Sequence, residues 1–308
     1  MPAMTASTRY STPLTHENKL WPGLALAALG AICFSGKAII VKLAYRHGVD
    51  AVTLLMLRML FALPMFVFLA WFAGRGKAAL TGRDLRVILG LGFCGYYLAS
   101  FLDFTGLSYI SASFERLILY LNPTIVLLLG RVLFKRRVTG RQLSALGVSY
   151  LGVAVVFGQE LHFAGSHVAL GAALVFGSAV SYALYLVFSG EEVRRIGALR
   201  LTGWTTTVAC LLCLAQFALL RPLDSAFAVA PEVLWLSVLN AVACTFAPVL
   251  MTMMAIERVG ATVAAQTGMI GPASTILMGF FILGEPFTPW VAAGTFLVMG
   301  GVWLLTRR

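Results

Sequence analysis

Residues 255–305 read AIERVGATVAAQTGMIGPASTILMGFFILGEPFTPWVAAGTFLVMGGVWLL. Two apolar runs, near 261–283 and 288–306, flank the turn Gly284-Glu285-Pro286. A helix of roughly 20 such residues crosses a hydrocarbon layer of about 30 Å, and both runs reach that length. Pro272 interrupts the first run near its centre, and Gly294, Gly300 and Gly301 punctuate the second. Slid back by 149 residues, the stretch meets a counterpart: Pro272 falls on Pro123, Gly301 on Gly152 and Leu283 on Phe134. Gly171-Ala-Ala-Leu meets Gly23-Leu-Ala-Leu at an offset of 148. The chain therefore reads as two related halves.

Eight further runs qualify as spans, near 20–42, 52–73, 85–106, 110–133, 139–157, 168–189, 199–220 and 232–255. Very short turns join the third to the fourth and the eighth to the ninth, which makes each pair a helical hairpin. Strands are excluded, because unpaired backbone groups in lipid are too costly and no ten-residue alternation marks a barrel. Composition agrees: 60% of the 308 residues are hydrophobic and 11% are charged, against about 25% charged in soluble domains. The organisation expected is an all-α membrane protein with ten transmembrane helices. Residues 1–19 form an N-terminal tail, 20–157 a first five-helix repeat and 168–306 a second. Lys and Arg set the orientation. With both termini in the cytoplasm, sixteen of them fall on the cytoplasmic side and three, Lys42, Arg46 and Arg221, outside, as the positive-inside rule requires. Five spans per half is an odd number, so the second repeat is inverted relative to the first. Inverted repeats are a recurring architecture of secondary transporters.

Several other classes lose their support. The net charge of +11 resides in short links between apolar runs, which argues against nucleic acid. Cys33, Cys94, Cys210, Cys213 and Cys244 lie within apolar runs and read as small hydrophobes, so neither disulfides nor metal sites are expected. Gly90-Leu-Gly-Phe-Cys-Gly95 matches a dinucleotide-binding pattern but lies in a span with no strand before it. No Walker loop is present. His16, His47, His162 and His167 fall in the tail or outer loops and do not form a proton relay.

The stretch quoted first also resembles the second repeat of EamA-type transporters in the drug/metabolite transporter superfamily, and particularly its amino-acid exporters. The resemblance rests on Val259-Gly260-Ala261, Pro272, Gly284-Glu285-Pro286, Gly294, Gly300 and Gly301. It implies ten helices in two inverted repeats, cytoplasmic termini and export of small metabolites. The first half departs from it, with Lys135-Arg136-Arg137 where the second has Gly-Glu-Pro. Glu285 therefore has no counterpart, and the turn cannot do identical work in both halves.

Ionisable groups inside spans cost roughly 2.5–3.5 kcal/mol each on insertion scales and need partners or a function. Lys37, Arg58, Asp103, Glu115 and Arg116 all fall in the outer half of the first four spans. Either they neutralise one another as packing, or they line an outer vestibule as gate and coupling groups. On the second account, neutralising Glu115 abolishes transport. Near the midplane lie the candidates for a substrate cavity: Ser35, Tyr96, Tyr97, Tyr120, Asn122, Ser178, Tyr182, Trp204, Asn240, Thr245 and Gln266. Polar groups turned toward lipid go unsatisfied, so some of these face the bundle interior, and the rings suit an amphipathic solute. Pro123 and Pro272 each remove a helix hydrogen bond and are hinge candidates. The function expected is a secondary transporter of a bacterial inner membrane, exporting amino acids, aromatic ones included, by alternating access through a central cavity. Export of drugs or of nucleosides and purines is the alternative; a lipid enzyme or a channel fits less well. Its partners are a small-molecule substrate and membrane lipids, without nucleic acid or cofactor, and the sequence leaves the oligomeric state open, a monomer among the options.

Overall fold

The computed structural model describes residues 17–135, 138–164, 167–259, 263–264 and 267–306. The regular structure among those residues is helical, with no strand. Eight helices are long and apolar enough to cross a membrane: α1 (Leu20–Tyr45), α2 (Ala51–Gly74), α3 (Gly82–Leu107), α4 (Ala112–Phe134), α5 (Gly140–Leu161), α6 (Val168–Gly190), α7 (Ala198–Leu220) and α8 (Pro231–Val259). Two shorter apolar helices follow, α9 (Gly268–Leu283) and α10 (Pro289–Leu304). Large side chains such as Phe68, Trp235, Phe281 and Phe296 stand exposed on the outside. On a soluble protein such surface marks a binding site; around a bundle of this composition it faces lipid. The chain is a multi-pass membrane protein.

Several helices outrun the apolar runs that announce them. α5 extends past 157 through Glu160, and α8 past 255 through Arg258. The expected ninth and tenth spans are described only over α9 and α10. The tail residues 1–16 and the turn residues Gly260 and Ala261 lie outside the described residues.

α1 packs on α8, α2 on α7, α3 on α6 and α5 on α10. The two members of each pair run antiparallel. Along α1 and α8, Gly23 meets Val259 and Gly36 meets Cys244; along α2 and α7, Gly74 meets Arg200 and Met59 meets Cys210. Two crossings need glycine because backbone faces backbone. A Cβ on Gly203 would lie 2.8 Å from the Ala70 Cα, and one on Gly152 2.7 Å from the Gly294 carbonyl. Small residues allow such approach where lipid offers no hydrophobic drive toward association.

Three spans are irregular at their centres. α3 and α8 each contain a π-helical turn, Phe93–Leu98 and Val242–Phe246. Ser181 Oγ donates to the Cys94 carbonyl at 2.6 Å and Ser178 Oγ to that of Ala99 at 2.7 Å. Hydroxyls of α6 thus satisfy backbone groups at the ends of the α3 π turn, where lipid offers no substitute. α4 breaks at Tyr120 and Leu121 and restarts with Pro123 in its first turn. α9 opens with a tight turn, Gly268–Ile270, and continues with Pro272 in the first turn of Gly271–Met278. Proline is well suited there, since a first-turn N–H lacks an intrahelical partner anyway.

Candidate functional site

The irregular segments converge on a cavity of about 230 Å³. α1 contributes Phe34 and Lys37; α2 contributes Arg58, Met59 and Phe66; α3 contributes Gly95, Tyr96, Ala99, Ser100 and Asp103. Arg116, Leu119, Tyr120 and Asn122 come from α4, Ser178 and Tyr182 from α6, Thr206 from α7, and Cys244, Thr245 and Val249 from α8. A second space, of about 710 Å³, shares Phe34, Tyr96, Arg116, Tyr120, Tyr182 and Val249 with it and runs toward Ala27, Val193, Ala198 and Ile256. A third, of about 750 Å³, lies at the α1–α2 end among Lys42, Tyr45, Arg46, Asp50, Arg221 and Glu285.

The charged lining is buried. Lys37, Arg58, Asp103, Glu115 and Arg116 are each at most 7% exposed. Lys37 Nζ bonds Asp103 Oδ2 at 2.5 Å and stands 3.4 Å from Glu115 Oε1, within ion-pair range but without hydrogen-bond geometry. Arg58 donates to Ser100 Oγ at 2.9 Å and lies over the Phe104 ring, 4.6 Å from its centroid. Arg116 donates to Thr275 Oγ1 at 2.9 Å and to the Phe34 carbonyl at 3.0 Å, tying α4 to α9 and α1. Neither guanidinium has a carboxylate partner among the described residues. Four buried polar atoms on the cavity lining make no hydrogen bond: Arg58 Nε, Asp103 Oδ1, Asn122 Oδ1 and Thr206 Oγ1. Buried polar atoms ordinarily find partners, so a cavity with several orphans is equipped to receive a polar ligand.

Of the residues expected in a cavity, Tyr96, Tyr120, Asn122, Ser178, Tyr182 and Thr245 line the deep space, and Ser35 the adjoining one. Tyr96, Tyr182 and Tyr185 form an aromatic cluster, with Tyr96 edge-on to both partners at 6.4 and 5.1 Å. Ser35 Oγ lies 2.9 Å from the Gly271 carbonyl at the start of the α9 segment carrying Pro272. Three expected residues stand elsewhere. Tyr97 stacks against Phe93, Trp204 packs with Ile88, Leu91 and Tyr185, and Asn240 is buried off the cavity beneath Thr245, whose hydroxyl bonds its carbonyl. Gln266 lies outside the described residues. Phe34, Phe66, Ser100 and Thr206 were not singled out from the sequence. Phe34, one turn from Lys37 on α1, was within reach of helical spacing; the others needed the rotation of their helices.

Glu285 works as a clamp. Its carboxylate accepts from the Ala112 and Ser113 amides, at 2.7 and 3.1 Å, and from Ser113 Oγ at 2.6 Å. An anion there meets the positive end of the helix dipole as well as free N–H groups. On the opposite end, Arg195 pairs with Asp84 and with Glu192, joining α3 to the residues after α6. Outside the spans, Asp50 caps α2 through the Val52 and Thr53 amides at 3.0 and 3.3 Å and pairs with Arg221 at 3.3 Å. Burial pushes its carboxyl up, but Thr53 and Arg221 outweigh that and hold it below the usual range.

Known proteins carry the same pattern. The sequence profile of the EamA-like transporter family matches residues 21–158 and, a second time, 169–307. YcbK of Bacillus subtilis (strain 168), described as an uncharacterized transporter, is 31% identical over 85% of this chain and 86% of its own. An uncharacterized transporter of Archaeoglobus fulgidus is 24% identical over 92% of this chain and 96% of its own. A crystal structure aligns over 95% of this chain and 99% of its own with a TM-score of 0.63; at 15% identity it speaks for the fold alone. With nearly its whole length matched in two successive pieces, this membrane-embedded chain belongs to the EamA-like transporter family of the drug/metabolite transporter superfamily and is a small-molecule transporter.

Proposed function

We propose that the chain is a secondary carrier exporting amino acids, aromatic ones included, across a bacterial inner membrane by alternating access. Its ten helices form two inverted repeats of five around the deep cavity, with both termini in the cytoplasm. The pairing of α2 with α7 and of α5 with α10 supports inversion, since these are corresponding helices at the 149-residue offset and run antiparallel. The charge bias of the links supports the orientation.

One observation carries the substrate class: unpaired donors and acceptors share a wall with aromatic rings. Arg58 Nε offers a donor to a carboxylate, Asp103 Oδ1 and Asn122 Oδ1 offer acceptors to an ammonium, and Phe34, Phe66, Tyr96 and Tyr182 supply an apolar surround. A zwitterion with an apolar side chain uses all three. A cationic drug meets three cations, Lys37, Arg58 and Arg116, and is disfavoured. The space shared by the two deep cavities runs toward the cytoplasmic ends of α1 and α8, whereas Lys37, Asp103 and Tyr45, whose hydroxyl bonds the Phe104 carbonyl at 2.6 Å, stand between it and the outer vestibule. This is the arrangement an inward-facing carrier needs.

Counterflow tests the proposal. Proteoliposomes loaded with unlabelled L-phenylalanine should accumulate labelled L-phenylalanine transiently and saturably, and phenethylamine should not compete. Flux without saturation or counterflow would point to a channel.

A further inference from the structure

Glu115 is not on the solute lining, and it shares one ammonium, that of Lys37, with Asp103. It is 0% exposed, and neither carboxylate oxygen accepts a hydrogen bond among the described residues. The charged groups facing it are Asp103 from α3, Lys37 from α1 and Arg116 beside it on α4. Lys37 gives its bond to Asp103, and Arg116 turns away to Thr275 and the Phe34 carbonyl. Two more acids reach this helix at its first turn, each already held: Glu160 of α5 by Ser111, and Glu285 by the Ala112 and Ser113 amides. α6, α9 and α10, which also pack on it, contain no charged residue within their ranges. One ammonium bonded to one carboxylate leaves the second with only an unbonded contact at 3.4 Å. An ionised carboxylate in that position is prohibitively costly, and such a group takes up a proton instead.

We infer that the chain moves protons as well as solute, with Glu115 as the proton-binding site, proton and solute occupying the cluster in alternation. The inference rests on the carrier reading above. With the pocket empty, Lys37 is bonded to Asp103 and Glu115 is the neutral acid. A solute ammonium arriving at Asp103 Oδ1 becomes that carboxylate's counter-ion. Lys37 then pairs with Glu115, whose O–H bond breaks, and the proton passes to water on the open face. Once the solute leaves on the other side, Lys37 returns to Asp103 and Glu115 takes a proton from the water there. Each cycle exchanges one neutral zwitterion outward for one proton inward, so export is driven by both the pH gradient and the membrane potential.

Two measurements separate this inference from the carrier reading. Infrared spectroscopy of the purified protein requires no solute. A carboxylic-acid C=O band should be present in the wild type at neutral pH and missing from Glu115→Gln. Asp103→Asn should lose the band too, because Lys37 is then free to ionise Glu115; this variant keeps the test open if the first does not fold. A band that persists in either variant overturns the inference. In the second arm, vesicles loaded with L-phenylalanine and pyranine are diluted into solute-free buffer. Efflux should acidify the wild-type interior and leave it unchanged with Glu115→Gln. Counterflow without acidification overturns the coupling and spares the carrier. Absence of counterflow overturns the amino-acid reading, and the infrared band then decides the proton site alone.

Discussion

Arg58 sits at 4% exposure with a hydroxyl and a ring for company and no carboxylate. A buried cation held so loosely contributes little to stability, and replacing buried charge by apolar bulk is often neutral or stabilising. Arg58→Met should therefore leave the melting temperature of the empty protein unchanged or higher while removing the shift that L-phenylalanine induces; an equal fall in both would reduce Arg58 to packing. Lys37 behaves oppositely, because its removal leaves the buried Asp103 without its bonded cation. Lys37→Met should cost roughly 3–5 kcal/mol, and adding Asp103→Asn should recover most of it, as a double-mutant cycle on thermal unfolding would record. The sequence made the five charges of this cluster visible, since any ion in an apolar run stands out. It did not reveal their pairing. Glu115 and Arg116 are neighbours in the chain, yet one faces Lys37 and the other Thr275, and that divergence depends on where α1 and α9 lie.

Among the helices, what was legible was apolar length and what was hidden was backbone irregularity. An apolar run marks each of the eight long and two shorter apolar helices among the described residues, but the run near 139–157 stops short of α5, which continues through polar Gln159 and Glu160. Both are held: Glu160 by Ser111, and Gln159 by Thr288 Oγ1 at 2.6 Å. The π turns of α3 and α8 left no trace in composition, although they place Tyr96 and Thr245 in the cavity wall. π turns recur at functional sites, and these two correspond at the same 149-residue offset as Pro123 and Pro272. Two consequences belong at this scale. Gly152→Val pushes a side chain into the Gly294 carbonyl and should sharply lower the yield of folded protein, whereas Gly158→Val, with nothing within 4 Å of its Cβ, should not; fluorescence-detected size exclusion would compare them. Asp50→Ala, removing the α2 cap, should cost about 1 kcal/mol at neutral pH. Asp50 titrates below its unfolded value in the folded chain, so its contribution is complete above the usual carboxylate range and fades as pH falls. The difference between Asp50→Ala and wild type should accordingly close in acid, and a constant difference would mean that the cap acts by shape alone.

Across the whole molecule, the halves are clamped to each other at both ends. Glu285 reaches from the second half to the first turn of α4, and Arg195 from the second half to Asp84 at the start of α3. Both clamps are formed in this structure, and the charged cluster and Tyr45 separate the solute space from the Glu285 end; a carrier that opens each face in turn must release them one at a time. On the proposed reading, halves of opposite orientation trade conformations to move the opening from one face to the other. Inversion makes a demand that any five-span offset between corresponding links must meet. The link after α2, with Arg75 and Lys77, and the link after α7, with Arg221 and Ser225, occupy equivalent places in their repeats and must face opposite sides of the membrane. In a background lacking the five native cysteines, Ser225→Cys should react with an impermeant maleimide on intact cells, and Lys77→Cys only after the cells are opened. If both links labelled from one side, the two halves would share an orientation, and an alternating cavity between them would have no structural basis.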